Sequence, residues 1–190
     1  MIPVCSLRRG KVWFALALNK RGKIIACSFS EDRKKAETAV LESVSPHDRP
    51  VQDRASVISS KLEELYDLYM GRGKVNLNSI DLSQVSPFRR RVYILLCRIP
   101  RGQVTTYGTI AEKLESTDYA RAVGTAVGSN PMPLVIPCHR VVLSTLNVGN
   151  YGMPGRKPSE GSRMKKQLLE REGVEFVDGK ISRESLWFPN

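Results

Sequence analysis

The sequence is punctuated most sharply between Ser86 and Ser129, and that punctuation limits the second half of the chain to a run of short helices. Ser86-Pro87 supplies an N-cap and a first-turn proline, Phe88–Ile99 follows, and Pro100 stops it. Phe88, Val92, Leu95, Leu96 and Ile99 share one face at helical spacing, and Arg89, Arg90 and Arg91 fall on the solvated side. Arg101–Thr106 reads as a turn into a short helix, Tyr107–Leu114. A break at Glu115-Ser116-Thr117 and a second helix from Asp118 to Ser129 complete a helix-turn-helix pattern, whose second helix usually enters DNA.

That second helix carries Ala120, Ala122, Gly124, Thr125, Ala126, Gly128 and Ser129. A glycine inside a helix costs about 1 kcal/mol relative to alanine, so two of them require a reason. One reason is close packing against another helix. The other is a smooth face that lets the backbone lie near DNA. Arg121 is the long cation on this helix, either an ordinary surface residue or a group able to replace an extruded base in the stack.

Before Ser86, Val12–Leu18 and Lys23–Phe29 flank the turn Asn19-Lys20-Arg21-Gly22 and predict two paired strands. Amphipathic helices are expected over Asp32–Val44 and Ala55–Met70, with Val57, Leu62, Leu65, Leu68 and Tyr69 near helical spacing and Gly71-Arg72-Gly73 as the stop. Lys74–Val85 reads as a linker or a strand. Toward the C-terminus, Gly152–Ser162 has the composition of a surface loop, Arg163–Glu172 of a helix ended by Gly173, and Val174–Val177 with Lys180-Ile181 of a hairpin. The expected architecture is mixed α/β: an N-terminal domain over residues 1–80 and a mostly helical domain over 81–190.

The net charge of +11 favours a polyanionic partner through Coulomb attraction and counterion release. No apolar run approaches the roughly 20 residues that span a bilayer, and Arg8, Arg9 and Lys11 interrupt the start before a secretory signal can develop. A cytoplasmic monomer without membrane contact is expected. The cysteines, at 5, 27, 97 and 138, form no CxxC pair, and a metal site from Cys5, Cys27 and His47 has no diagnostic spacing, so no metal and no cofactor are expected.

The chemistry concentrates in Asn130-Pro131-Met132-Pro133-Leu134-Val135-Ile136-Pro137-Cys138-His139-Arg140-Val141-Val142. Its apolar residues predict burial, with Cys138 at the end of a short strand. A buried structural cysteine is the ordinary reading. Against it stands His139-Arg140, polar groups that are costly to bury without a task. A free thiol is only a few per cent ionised at neutral pH, and a neighbouring imidazole acting as base raises the reactive fraction. Neighbours on an extended segment point to opposite faces, so a bridging water between Cys138 and His139 is plausible. The base needs an orienting acceptor. Glu172 is a candidate, although spacing alone admits any carboxylate.

Ile136-Pro137-Cys138-His139-Arg140-Val141-Val142 resembles the active-site signature of the O6-alkylguanine-DNA alkyltransferases. Further blocks agree in order: Arg101–Tyr107, Ala120-Arg121-Ala122-Val123-Gly124, Asn130-Pro131, Val148-Gly149-Asn150-Tyr151 and Leu168–Gly173. The resemblance covers Phe88 to about Ile181 and implies an RNase H-like small sheet in the N-terminal part. It also implies single-turnover repair of O6-alkylguanine, and of O4-alkylthymine, in double-stranded DNA. Cys138 would be nucleophile and acceptor, His139 a water-mediated base oriented by Glu172, and Asn130 the brace of a hinge. Arg121 would fill the gap of the flipped base on a helix whose Ala120, Ala122, Gly124 and Thr125 meet DNA. Tyr107 would press on the phosphate and help protonate the leaving base. Backbone groups near Val141 and Val148 would read the base edge, with Pro133, Tyr151 and Gly152 in the pocket. Gly152 stands where members often carry serine, and the loop after it is long, which bears on pocket width. The family's zinc-binding histidines have no counterpart here. A lesion-binding module without chemistry and a cysteine hydrolase are the rival classes.

Overall fold

The structure is a computed structural model that describes residues 4–44, 55–115, 119–152 and 157–189. His47, Ser116, Thr117, Asp118 and positions 153–156 of the expected loop lie outside them.

Three antiparallel strands, β1 (Cys5–Arg9), β2 (Val12–Leu18) and β3 (Ile24–Ser30), lie in that order. The expected hairpin is β2–β3, with Phe14 opposite Phe29 and Leu16 opposite Cys27. β1 had no sequence signal: its side chains are half-buried or exposed, as suits an edge strand. Successive residues of β2 point to opposite faces. Ala15 and Ala17 join Ile25 and Ala26 against Ala36 and Val40 of α1 (Arg33–Ser43), small residues that let the helix lie close. Phe14 and Leu16 join Phe29 on the other face against Leu62, Leu65, Leu68 and Tyr69 of α2 (Ala55–Tyr69). The Asp32 side chain caps α1, accepting from the Lys35 amide at 3.1 Å.

α2 ends in Gly71 at φ +72°. A Cβ there would stand 2.2 Å from the Arg171 carbonyl oxygen, so glycine is required both by the left-handed backbone and by a close approach. Arg101 donates to the Gly71 carbonyl at 2.8 Å, and Arg171 stacks on the Tyr69 ring with its guanidinium 4.2 Å from the centroid. The expected linker is irregular, with a 3-10 turn at Leu77–Ser79 and a bridge from Ile80 to Ile24.

Four helices follow: α3 (Pro87–Leu96), α4 (Tyr107–Lys113), α5 (Ala120–Gly128) and α6 (Pro158–Arg171). Two-residue strands β4 (Thr105–Thr106) and β5 (Val141–Val142) pair in parallel, and β6 (Phe176–Val177) with β7 (Lys180–Ile181) makes the expected hairpin. Ser86 sits at the N-cap of α3, but its side chain makes no capping bond there. Thr106 caps α4 by accepting from the Thr109 amide at 3.1 Å.

Two expectations are corrected. α6 begins at Pro158, inside the stretch read as loop. Gly161, which looks like loop composition, is needed because a Cβ there would stand 2.3 Å from the Tyr151 carbonyl oxygen. Cys138 does not end a strand: Cys138–Arg140 form one 3-10 turn that leads into β5. Among the described residues, no helix is long and apolar enough to cross a membrane.

Candidate active site

Asn130, directly after α5, organises the cysteine segment. Its side-chain oxygen accepts from the Met132 amide at 3.0 Å, and its amide nitrogen donates to the Ile136 carbonyl at 2.9 Å and to Cys138 Sγ at 3.0 Å. One side chain thus closes the loop 130–138 and aims a donor at the sulfur. Cys27 of β3 braces the same loop from the sheet, with its amide on the Pro131 carbonyl at 3.0 Å and its thiol on the Pro133 carbonyl at 3.2 Å.

Cys138 is buried, and burial raises its pKa; the Asn130 hydrogen bond, the Lys165 charge and the Tyr151 hydroxyl pull the other way without reversing the shift. The resting group is a thiol that needs a base. His139 is 1% exposed, and its Nε2 stands 3.0 Å from Glu172 Oε1. An ionised carboxylate only accepts, so Nε2 carries the proton and Nδ1 is the basic nitrogen. Nδ1 is buried and has no hydrogen-bond partner among the described residues. Burial lowers the His139 pKa against the opposing pull of Glu172, which keeps the ring neutral at neutral pH. No hydrogen bond joins the ring to Cys138, although the two share one 3-10 turn rather than the extended segment that the opposite-face argument assumed.

Glu172, just past α6, is gripped by Arg140 as well: Nε to Oε2 at 2.8 Å and Nη2 to Oε1 at 2.7 Å. Arg140 Nη1 also donates to the Ile99 carbonyl at 2.7 Å. Burial pushes the Glu172 carboxyl up, but the charges and hydrogen bonds of His139 and Arg140 prevail and hold it down at about 2. The pair His139-Arg140 therefore occupies an apolar segment because one carboxylate binds both.

Cys138 opens on a cavity of about 720 Å³, whose walls include Tyr107, Gly124, Gly128, Pro133, Tyr151 and Gly152. This is the size range of pockets that enclose a whole small-molecule ligand. Val141 and Val148 are not among its lining residues: Val141 is buried with its carbonyl bonded to Lys165 at 2.7 Å, and Val148 packs into a separate apolar cluster. Among the described residues, a Cβ on Gly152 would meet nothing nearer than the Gly128 carbonyl at 4.0 Å, so the missing side chain leaves that side of the cavity open.

α5 forms one rim. Val123, Ala126 and Val127 are buried, whereas Arg121, Ala122, Thr125, Gly128 and Ser129 are exposed, with Ala120 and Gly124 half-buried. Among the described residues, a Cβ built on Gly124 or Gly128 meets nothing within 4 Å, so close packing against another described helix is not their reason. They leave the helix bare toward the outside. Tyr93 of α3 anchors it from beneath, donating to the carbonyls of Ala126 and Ser129 at 3.0 and 3.1 Å. Arg121 has no ion-pair partner among the described residues.

Residues 87–174 match the family model for the 6-O-methylguanine DNA methyltransferase DNA binding domain. A methylated-DNA–protein-cysteine methyltransferase of Thermococcus sibiricus is 33% identical over 180 residues, covering 92% of this chain and 97% of that protein. The chain belongs to the methylated-DNA–protein-cysteine methyltransferase family. Among solved structures, the O6-methylguanine-DNA methyltransferase of Pyrococcus kodakaraensis is similar at a TM-score of 0.69 and 30% identity, over 92% of this chain and all of that one. The Mycobacterium tuberculosis OGT in complex with DNA is similar at 0.64 and 25% identity, over 90% of this chain and 92% of that one. Sequence reasoning missed Lys165, Cys27 and the Arg140–Glu172 clamp. The signal for Lys165 was its place on the stripe Lys165, Leu168, Leu169, Glu172.

Proposed function

We propose that this methyltransferase-family chain repairs O6-alkylated guanine in double-stranded DNA by moving the alkyl group once, irreversibly, onto Cys138. The observation that carries the reading is a buried thiol, hydrogen-bonded by Asn130 and facing a cavity rimmed by the bare face of α5. Arg121 and the exposed small residues of α5 meet the DNA, and the damaged base turns out of the stack into the cavity at a cost of a few kcal/mol. Tyr107, at the cavity wall, presses on the adjoining phosphate.

Chemistry follows from the donors in place. The Cys138 proton passes to Nδ1 of His139 through a bridging water, and Glu172 stabilises the imidazolium that forms. Sulfur attacks the alkyl carbon in line as the carbon–O6 bond breaks. The electron pair leaves with the guanine, which takes a proton from Tyr107. The thioether is stable, so each molecule acts once. Residues 1–80 form the unit that backs this site, residues 81–190 carry the DNA contact and the acceptor, and the protein works as a cytoplasmic monomer.

Intact-protein mass spectrometry after mixing with a duplex that carries one O6-methylguanine tests the reading. A gain of one methylene on the Cys138 peptide, absent in Cys138→Ala, is expected. Tight binding without the gain points to a lesion-binding module, and neither result points to a cysteine hydrolase.

A further inference from the structure

Arginines 89, 90 and 91 lie in the first half of α3, and the function above gives none of them a task. The structure separates the three. Arg90 turns back on the segment that leads into its own helix, its Nη2 donating to the carbonyls of Leu82 at 2.9 Å and Ser83 at 3.2 Å. Arg91 is exposed and is not among the residues that line the cavity. Arg89 is exposed too, yet it does line the cavity on which Cys138 opens. Among the described residues, its guanidinium has no ion-pair or hydrogen-bond partner.

Tyr93 places Arg89 relative to α5. The Tyr93 hydroxyl holds the carbonyls of Ala126 and Ser129, and it feels the Arg89 charge: burial raises its pKa, while the contact with Ser129 and the Arg89 charge pull it down. Arg89 therefore stands toward the last turn of α5, whereas Arg121 belongs to the first. At about 1.5 Å per residue, roughly 12 Å separates those ends. The C-terminus of a helix carries about half a negative charge, which repels a phosphate. A nucleic-acid strand laid along the bare face of α5 meets that repulsion at Ser129, and Arg89 offsets it.

Two carboxylates share the cavity lining, Glu42 of α1 and Asp81 of the segment before α3. Asp81 is taken by the Asn19 side chain at 2.6 Å and the Ser83 amide at 2.8 Å. Among the described residues, neither carboxylate pairs with an arginine of α3. The Arg89 charge is left for an outside anion.

We propose that Arg89 is a phosphate anchor: its guanidinium binds a backbone phosphate of the damaged strand beside the turned-out nucleotide, at the end of α5 remote from Arg121. The inference rests on the reading of the cavity as the seat of a flipped base. A guanidinium suits the task because its planar fork takes two phosphate oxygens at once. With Tyr107 on one phosphate and Arg89 on another, the backbone is held at two points while the base turns inward. Arg89 touches no reacting atom. It is a positioning residue that acts through binding.

The test follows single-turnover methyl transfer against the concentration of a duplex with one O6-methylguanine, between about 50 and 200 mM salt. The unaltered protein is compared with Arg89→Ala, Arg89→Lys and Arg91→Ala. In a second set of duplexes a neutral methylphosphonate replaces, one at a time, the damaged-strand phosphates nearest the lesion. Arg89→Ala is expected to need about tenfold more duplex for half-saturation, as for a lost charge-assisted hydrogen bond. Its limiting rate should be unchanged, and its slope of log affinity against log salt smaller by about one. Arg89→Lys should recover part of the loss, and Arg91→Ala should shift half-saturation by less than about twofold, as a screened surface charge does. One methylphosphonate position should weaken the unaltered protein and leave Arg89→Ala indifferent. An Arg91→Ala loss equal to that of Arg89→Ala, or the want of any position that Arg89→Ala ignores, overturns the anchor. Absence of methyl transfer by the unaltered protein defeats the repair reading instead. The anchor is then still judged, because binding of the same duplexes to Cys138→Ala, with and without the Arg89→Ala change, reports affinity and salt slope without chemistry.

Discussion

Replacing Glu172 by glutamine keeps the shape of the side chain and removes the charge that binds His139 and Arg140. Three contacts are affected: Nε2 of His139 at 3.0 Å, and Nε and Nη2 of Arg140 at 2.8 and 2.7 Å. An amide keeps one acceptor and turns the other toward the guanidinium as a donor. Breaking one side of a buried ion pair costs about 3–5 kcal/mol, because the remaining charge is stranded. Proton linkage gives a similar figure. The folded Glu172 carboxyl sits at about 2 against an ordinary 4.5, and at about 1.36 kcal/mol per unit that is about 3 kcal/mol. The shift is a lowering of a carboxylic acid, so this stability is fully present above the unfolded value and is lost as pH falls through the folded one. Urea unfolding at neutral pH is the assay. With a slope of about 2 kcal/mol per molar, the midpoint of Glu172→Gln should fall by about 1.5–2.5 M. The gap from the unaltered protein should close as pH approaches 2. Arg140→Met should be similarly costly, and the double variant much less costly than the two singles added together, with a coupling of about 2–3 kcal/mol. A cost below about 1 kcal/mol for Glu172→Gln, or additive singles, would refute the clamp as the reason these polar groups are buried.

Asn130→Ala removes one acceptor and two donors from loop 130–138, so methyl transfer should slow by about a hundredfold or more, on the scale of losing one preorganised donor at a reacting centre; single-turnover quench kinetics read this, and an unchanged rate rejects the bond to sulfur. Gly161→Ala places a Cβ 2.3 Å from the Tyr151 carbonyl oxygen, so α6 and the Tyr151 wall must separate. Its thermal midpoint should fall by several degrees, as a loss of about 1–3 kcal/mol implies, and differential scanning calorimetry would expose an unaffected variant.

Most of the helices were legible because their ends carry their own chemistry. Asp32 caps α1 and the left-handed backbone at Gly71 ends α2 close to themselves, so those ends could be read locally, whereas α3 stops at Leu96, ahead of the Ile99 that Pro100 suggested. β1 could not: Cys5 to Arg9 become a strand by pairing with β2, and an edge strand with half-buried side chains leaves no alternating pattern. The start of α6 was hidden because Gly161 owes its identity to Tyr151 ten residues away rather than to a turn. At the site, Cys138 and His139 could be read since apolar neighbours make a polar pair conspicuous. Lys165 could not, because a lysine on a helix is by default solvated, and only the stripe it shares with Leu168, Leu169 and Glu172 buries it. Cys27 was invisible for a related reason: its contacts are with the backbone of Pro131 and Pro133, more than a hundred residues along the chain.

The contact at Gly71 makes the two halves of the chain one mechanical part. The end of α2 rests on the backbone of Arg171 and Glu172, with Arg101 and the Tyr69 ring closing the joint. Tyr69 is itself packed on Phe14 and Phe29 of the sheet. A partial opening that loosened the sheet would withdraw the support behind the carboxylate that orients His139. Repair competence therefore disappears with the first cooperative unit to open, whichever half it begins in, and the sheet at the N-terminal end acts as the foundation of a site to which it lends no acid or base.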